Sequence, residues 1–227
     1  MWFIWKNEDS RNNGLWVAKL PPITTPEERV TQVEIPGKPG VLTLSDGVHK
    51  CYTKNCIVTA RRSYDPQYLC SWLSGESEVI FYNEPTKRYF ARILGSVSFD
   101  RISNDLMQAS IPFFCEPYKG AYPSESVVDF TGTSGSIFNP GNVDSRPVVT
   151  VNTTGTVTLT INGIQMILTD VPTKLIVDCD AGIITKQDGT LWTGTMYGDF
   201  FKLAPGSNSI VASKSVTLNI EPRWRWL

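Results

Sequence analysis

The chain has 227 residues, with 21 basic side chains against 22 acidic ones and a single histidine. A net charge of −1 excludes a general nucleic-acid binder, which needs a basic surplus to displace counterions from phosphate, and argues against polybasic membrane attachment. With 41% apolar and 11% aromatic residues the composition is globular rather than disordered, and the length suits one large domain or two modest ones.

No segment reads as a membrane span. The longest uncharged stretch, Pro147 to Thr169, interleaves its apolar residues with Thr, Asn and Gly, whereas a spanning helix needs about 20 mostly apolar residues. The opening Met1-Trp2-Phe3-Ile4-Trp5-Lys6 has no basic leader and too short an apolar run for a signal peptide, so synthesis in the cytosol without classical export is expected. The five cysteines, Cys51, Cys56, Cys70, Cys115 and Cys179, follow no zinc spacing and read as reduced, semi-buried thiols.

In the first half, Val41–Leu44 and Val48–Tyr52 flank Asp46-Gly47 and predict a hairpin. Gly37-Lys38-Pro39-Gly40 before it reads as a tight turn and not a phosphate cradle, because Pro39 removes a backbone donor. One helix is credible, with Asp65 as N-cap, Pro66 in the first turn, Leu69, Trp72 and Leu73 on one face, and Gly75 as stop. Val79–Tyr82 and Tyr89–Leu94 flank a Pro-containing turn, and Val97–Arg101 and Leu106–Phe114 flank Ser103-Asn104-Asp105.

Composition changes near the middle. Residues 1–130 carry 29 charges and residues 131–227 only 14, and the shift falls in Thr131-Gly132-Thr133-Ser134-Gly135-Ser136, which reads as a linker between domains 1–130 and 131–227. Beyond it, Val149 and Val151, then Val157, Leu159 and Ile161, alternate with Thr and Asn, as in half-buried strands. Asn162-Gly163 is a strong hairpin signal. Leu175–Asp178 and Ile183–Lys186 flank another turn. Phe200–Leu203, Ser209–Val211 and the alternating Val216, Leu218 and Ile220 complete about eight short strands. This pattern predicts a β-sandwich or jelly roll.

The search for chemistry returns little. His49 is the only candidate base for a triad, there is no nucleophile elbow, and a metal signature built on paired histidines is impossible. Asp178 and Asp180 have the spacing of two strand carboxylates on one face, but a turn capped by their side chains explains them. No catalytic residue, metal site or cofactor is expected. Trp224 and Trp226 alternate with Arg223 and Arg225, so tryptophans share one face and arginines the other. A sandwich core, an interface and a sugar platform all fit that pattern.

The order of several short motifs resembles the distal tail protein (Dit) family of siphophages and prophages. Ile35-Pro36-Gly37-Lys38-Pro39-Gly40 is similar to its early "IPG-x-x-G" turn, and Leu69 to Gly75 to its helix ending in "WL-x-G". Phe81 to Ile93 resembles the following hairpin, and Ile111 to Tyr118 the closing strand of its N-terminal domain. Asn139-Pro140-Gly141 with Arg146-Pro147, Gly198 to Asn208, and Arg223-Trp224-Arg225 resemble C-terminal signatures. One departure is Pro140, where the family has a small or polar residue.

The resemblance implies a mainly β fold: an N-terminal tail-tube-like β-sandwich or split barrel with one helix, and a C-terminal galectin-like β-sandwich. It implies a structural, non-enzymatic virion protein of the tail tip, made in the host cytoplasm. Its expected partners are five further copies in a hexameric ring, the tail tube protein and a tail-tip or baseplate hub protein of the tail-associated lysin type. DNA would pass the channel without specific binding, and no membrane contact is implied. With only residues 131–227 available, no inserted carbohydrate-binding module fits. The hairpin bearing Val41, Leu42, Leu44, Val48 and Tyr52 is the candidate ring interface. A carbohydrate-binding adhesion module on the host surface is the alternative, and a tail-associated hydrolase ranks last.

Overall fold

The alternating residues of the first half build ten strands and one helix: β1 (Phe3–Trp5), β2 (Glu8–Asp9), β3 (Leu15–Lys19), β4 (Glu28–Glu34), β5 (Val41–His49), β6 (Tyr52–Arg61), α1 (Pro66–Trp72), β7 (Gly75–Phe81), β8 (Lys87–Ile93), β9 (Asp100–Arg101) and β10 (Leu106–Ala121). The computed structural model describes residues 1–227, and the chain divides into two units, Met1–Tyr122 and Pro123–Trp226. No helix is long and apolar enough to cross a membrane.

In the first unit an antiparallel sheet runs β2-β1-β7-β8-β10-β6-β3, with β9 beside β10. Its buried face is aromatic. The Phe113 ring lies 5.5 Å from Phe3, 5.4 Å from Trp5 and 5.5 Å from Phe81, each edge to face, a geometry that satisfies ring quadrupoles as well as burying area. The helix forms as its caps dictate: the Asp65 side chain accepts from the Gln67 amide, Pro66 opens the first turn, and Gly75 lies beyond the end at φ 85°. Leu69 and Trp72 are buried beneath it, and the Trp5 indole N–H donates to the Trp72 carbonyl at 3.1 Å. The opening Phe3 and Trp5 are therefore core residues, fully buried.

One expected hairpin is corrected. Asp46-Gly47 does not turn the chain; both residues lie inside β5, which pairs with β4 as a separate two-stranded sheet. The turn is Ile35 to Gly40, where Gly37 and Gly40 take φ 81° and 88° and the Lys38 amide donates to the Ile35 carbonyl. Gly47 at φ 69° accompanies a register shift between the Glu28 and Val30 pairings, a bulge that re-aims the strand without reversing it. Tyr52 accordingly belongs to β6 in the large sheet and not to the hairpin.

The second unit adds β11 (Val128–Asn139), β12 (Val148–Asn152), β13 (Gly155–Ile161), β14 (Ile164–Val171), β15 (Lys174–Asp178), β16 (Ile183–Lys186), β17 (Met196–Gly198) and β18 (Gly206–Glu221). The order is β16-β15-β12-β18-β13-β14-β17, with β11 beside β18. The 16-residue β18 is the spine: its first half pairs with β13, its second half with β12, and β11 follows its whole length. The alternating Val149, Val151, Val157, Leu159 and Ile161 are all buried. Asn162 and Gly163 make the β13–β14 turn with positive φ at both positions, as a type I′ turn requires.

Two expectations change here. Thr131 to Ser136 is not a linker but the middle of β11, bulged between Gly132 and Ser134. Its small residues serve close packing: a Cβ at Gly135 would lie 2.6 Å from the Phe130 ring. Phe200–Leu203 is not a strand either; it forms a loop held to Ser145 by paired backbone hydrogen bonds with Leu203.

Candidate assembly interface

The β4–β5 hairpin is amphipathic and uncovered. Thr31 lies opposite Leu44 and Val33 opposite Leu42, so these four share one face. Gln32 opposite Thr43, Glu34 opposite Val41 and Val30 opposite Ser45 share the other. Exposure is 41% at Val33, 47% at Leu42 and 52% at Leu44, and Val41 and Val48 are exposed too. An isolated two-stranded hairpin is marginal in water, and a stripe of exposed aliphatic residues signals a partner surface. Local charges keep its register: Arg29 Nε donates to Asp46 Oδ2 at 2.8 Å, and Ser45 hydrogen-bonds Glu28.

The hairpin departs from a fixed base. Lys54 is 2% exposed and its ammonium donates to the Pro22 carbonyl at 2.6 Å, while the Asn83 amide donates to the Pro21 carbonyl at 3.1 Å. Burial pulls the Lys54 pKa below its ordinary value, against the opposing attraction of Glu84. The ammonium also lies 4.8 Å from the Tyr89 ring centroid, within cation–π reach. Next to it Lys119 pairs with Glu84 at 3.1 Å, and the Tyr89 hydroxyl hydrogen-bonds the same carboxylate. On the return side, the Lys50 amide donates to the Glu27 carbonyl at 2.8 Å. His49 ends β5 with its ring 6.2 Å from Tyr118.

Of the residues singled out from sequence, Val41, Leu42, Leu44 and Val48 fall together on β5. Tyr52 does not: it is half-buried under the first unit's core, and its hydroxyl pKa is driven upward chiefly by burial. Sequence reading missed Lys54 and Asn83. Lys54 carries a signal, because it is in phase with Cys56, Val58 and Ala60 on the buried side of β6. Asn83, inside a turn, carries none.

The remaining motifs are architectural. Asn139 is buried, donates to the Leu203 carbonyl at 2.8 Å and accepts from the Gly141 amide at 2.7 Å. Gly141 has no room for a side chain, since a Cβ would meet the Arg225 carbonyl at 2.3 Å. Asn208 is fully buried and donates to the carbonyls of Ala204 and Gly206 at 2.9 Å. Asp178 caps its turn by accepting from the Asp180 and Ala181 amides, and Arg223 and Arg225 neutralise Asp178 and Asp180. Trp224 is buried in the second unit's core and Trp226 packs against it, so neither offers a platform.

Residues 13–115 match the family described as the phage tail protein RIFT-related domain. No curated protein sequence matches the chain. Among solved structures, SPP1 Dit (gp 19.1) protein, described as a paradigm of the hub adsorption apparatus in phages infecting Gram-positive bacteria, superposes with a TM-score of 0.80. The identity is 14%, and the match covers 100% of this chain and 99% of that one. Residues 13–115 are therefore similar to the RIFT-related phage tail domain, and the chain has along its whole length the fold of SPP1 Dit.

Proposed function

We propose that this chain is a structural hub of a long-tailed phage or prophage tail. Six copies close into a ring that joins the tail tube protein to the tail-tip or baseplate hub protein, with the genome passing through the central channel. The observation that carries this reading is the uncovered amphipathic hairpin of β4 and β5, in a chain whose fold follows SPP1 Dit from end to end. A heterologous contact between identical subunits closes into a ring when its rotation allows, and such a contact covers what each monomer leaves exposed.

The hairpin's two faces suit the two environments of a ring wall. Val33, Leu42 and Leu44 pack on a neighbour, and the opposite face, which mixes Val30 and Val41 with Gln32, Thr43, Ser45 and the acidic Glu34, is left for the channel. A mixed lining whose charge here is the acidic Glu34 offers phosphate no cation and lets DNA slide rather than bind. The role is structural, not catalytic, and the particle's tail tip is its location.

Light scattering on the purified protein, with negative-stain images of the same peak, tests the reading. A hexamer with a central hole is the expected result. A monomer at every concentration, with or without the tube and tip proteins, overturns it.

A further inference from the structure

The second unit carries an open polar pocket of about 490 Å³ where three loops meet. The β11–β12 loop brings Arg146, the β15–β16 turn brings Asp180, and the β17–β18 loop brings Asp199, Phe200 and Lys202. Cys179 and Phe201 belong to its lining and are buried, so the pocket rests on the core of the unit. Backbone geometry sets its walls. Gly198 holds φ 101°, and a Cβ there would lie 2.0 Å from the Gln165 carbonyl oxygen, so only glycine lets β17 end against β14 in this way. The Asp199 amide then donates to that same carbonyl at 3.2 Å. Phe200 lies near Gly182 of the β15–β16 turn, where an added Cβ would be 3.8 Å from its ring.

The charges of the pocket divide into committed and free. Arg225 holds Asp180 at 2.7 Å. Arg146 reaches the same carboxylate only at 3.7 Å, with its side chain 46% exposed. Asp199 and Lys202 are exposed and belong to no ion pair. Two cations, Arg146 and Lys202, are thus open to an incoming carboxylate, while Asp199 in the same pocket can only accept from O–H or N–H donors.

We infer that this pocket binds an acidic sugar, a hexuronate unit of a polysaccharide. Lys202 and Arg146 take its carboxylate, Asp199 accepts from its ring hydroxyls, and Phe200 offers an apolar wall to its C–H face. The mixture of groups selects the ligand class. A free carboxylate among free cations disfavours a phosphodiester or an acidic peptide side chain, which bring negative charge and no hydroxyl donor. A neutral sugar leaves both cations unused. A hexuronate carries the carboxylate and the hydroxyls together, and a concave site with a few convergent polar groups beside an aromatic ring is the usual form of a small-ligand pocket. The inference goes beyond the tail-hub reading and does not depend on it, because one subunit supplies every residue.

Titration calorimetry on the full-length protein tests it, with galacturonate and glucuronate trimers as ligands. Two controls separate the chemistry: the methyl esters of the same trimers keep the hydroxyls and lose the charge, and triglutamate keeps the charge and lacks the hydroxyls. At least one uronate trimer should bind, more weakly as salt is raised, and both controls should bind about tenfold more weakly or worse. Lys202→Gln and Asp199→Asn remove exposed groups with no partner to strand, so each should weaken uronate binding about tenfold at an unchanged melting temperature. Equal binding of the esters overturns the inference in favour of a neutral-sugar site, and equal binding of triglutamate in favour of a general anion patch. Uronate binding that survives both substitutions, or no binding of either trimer at about 10 mM, overturns it outright.

Discussion

Arg223 grips Asp178 from 45 residues away in both directions of its guanidinium fork, Nη1 to Oδ1 at 3.1 Å and Nη2 to Oδ2 at 3.2 Å. Two residues later Arg225 repeats the contact on Asp180 at 2.7 Å. The tail of the chain thus ties itself to the β15–β16 turn by its arginines, while Trp224 enters the core between them. Arg223 holds φ 52°, a conformation that costs a non-glycine residue about 1–2 kcal/mol and that the paired contacts offset.

This clamp should make the second unit acid-sensitive. Burial alone would raise the Asp178 pKa, but the Ala181 and Asp180 amides and Arg223 outweigh it and hold the carboxyl below its ordinary value. A folded-state pKa below the unfolded one means that the stabilisation is fully present above about pH 4 and is lost as pH falls through the folded value. Asp178→Asn should cost about 1–2 kcal/mol at neutral pH and flatten the dependence below pH 4, measured by chemical denaturation across that range.

Removing the hairpin's apolar face should abolish assembly without unfolding the subunit. Leu42→Ser with Leu44→Ser changes two side chains that touch no core, so stability should move by no more than ~0.5 kcal/mol. Light scattering should report monomers at concentrations where the parent chain forms the proposed ring, with an unchanged circular dichroism spectrum and melting temperature.

Lys54→Met tests the hairpin's anchor. The substitution keeps the buried stem, removes the hydrogen bond to the Pro22 carbonyl, and leaves Glu84 paired with Lys119, so no charge is stranded. The segment from Pro21 to Glu27 should become a preferred site of limited proteolysis, while the melting temperature changes by only a few degrees. Because the Lys54 pKa is lowered on folding, the native state binds fewer protons there than the unfolded chain, and this residue adds stability as pH rises toward about 10. The variant should lack that rise.

Thiol labelling should divide the cysteines by burial. Burial pushes Cys56 and Cys115 up to about 12 and Cys179 up to about 11, so none presents a thiolate at neutral pH. Cys51 is exposed and should react first with a chromogenic disulfide reagent in the native monomer. The three buried thiols should react only in denaturant, which stopped-flow absorbance resolves.

Much of the fold was legible in local pattern, for a physical reason. Side-chain direction in a strand alternates whatever the partner, so the spacing of Val149, Val151, Val157, Leu159 and Ile161 declares a half-buried strand before any partner is known. The Asn162-Gly163 turn and the Asp65-Pro66 helix start are likewise decided within a few residues, by positive φ and by an unsatisfied amide. The mainly β character and the motif order that resembles distal tail proteins were readable at this level.

Partnership was not readable, because pairing is non-local. Asp46-Gly47 satisfies a turn template, yet β5 continues through it, since β4 lies across from it and the Pro-Gly loop ahead supplies the reversal. Thr131 to Ser136 has linker composition, yet β18 offers an edge and Phe130 a ring to cover Gly135, which makes it a strand. Sequence by itself determined where this chain can turn and which side chains face the same way. Only the tertiary structure decided which of those faces meet inside the molecule and which, such as the aliphatic stripe of Val33, Leu42 and Leu44 on the β4–β5 hairpin, stay exposed.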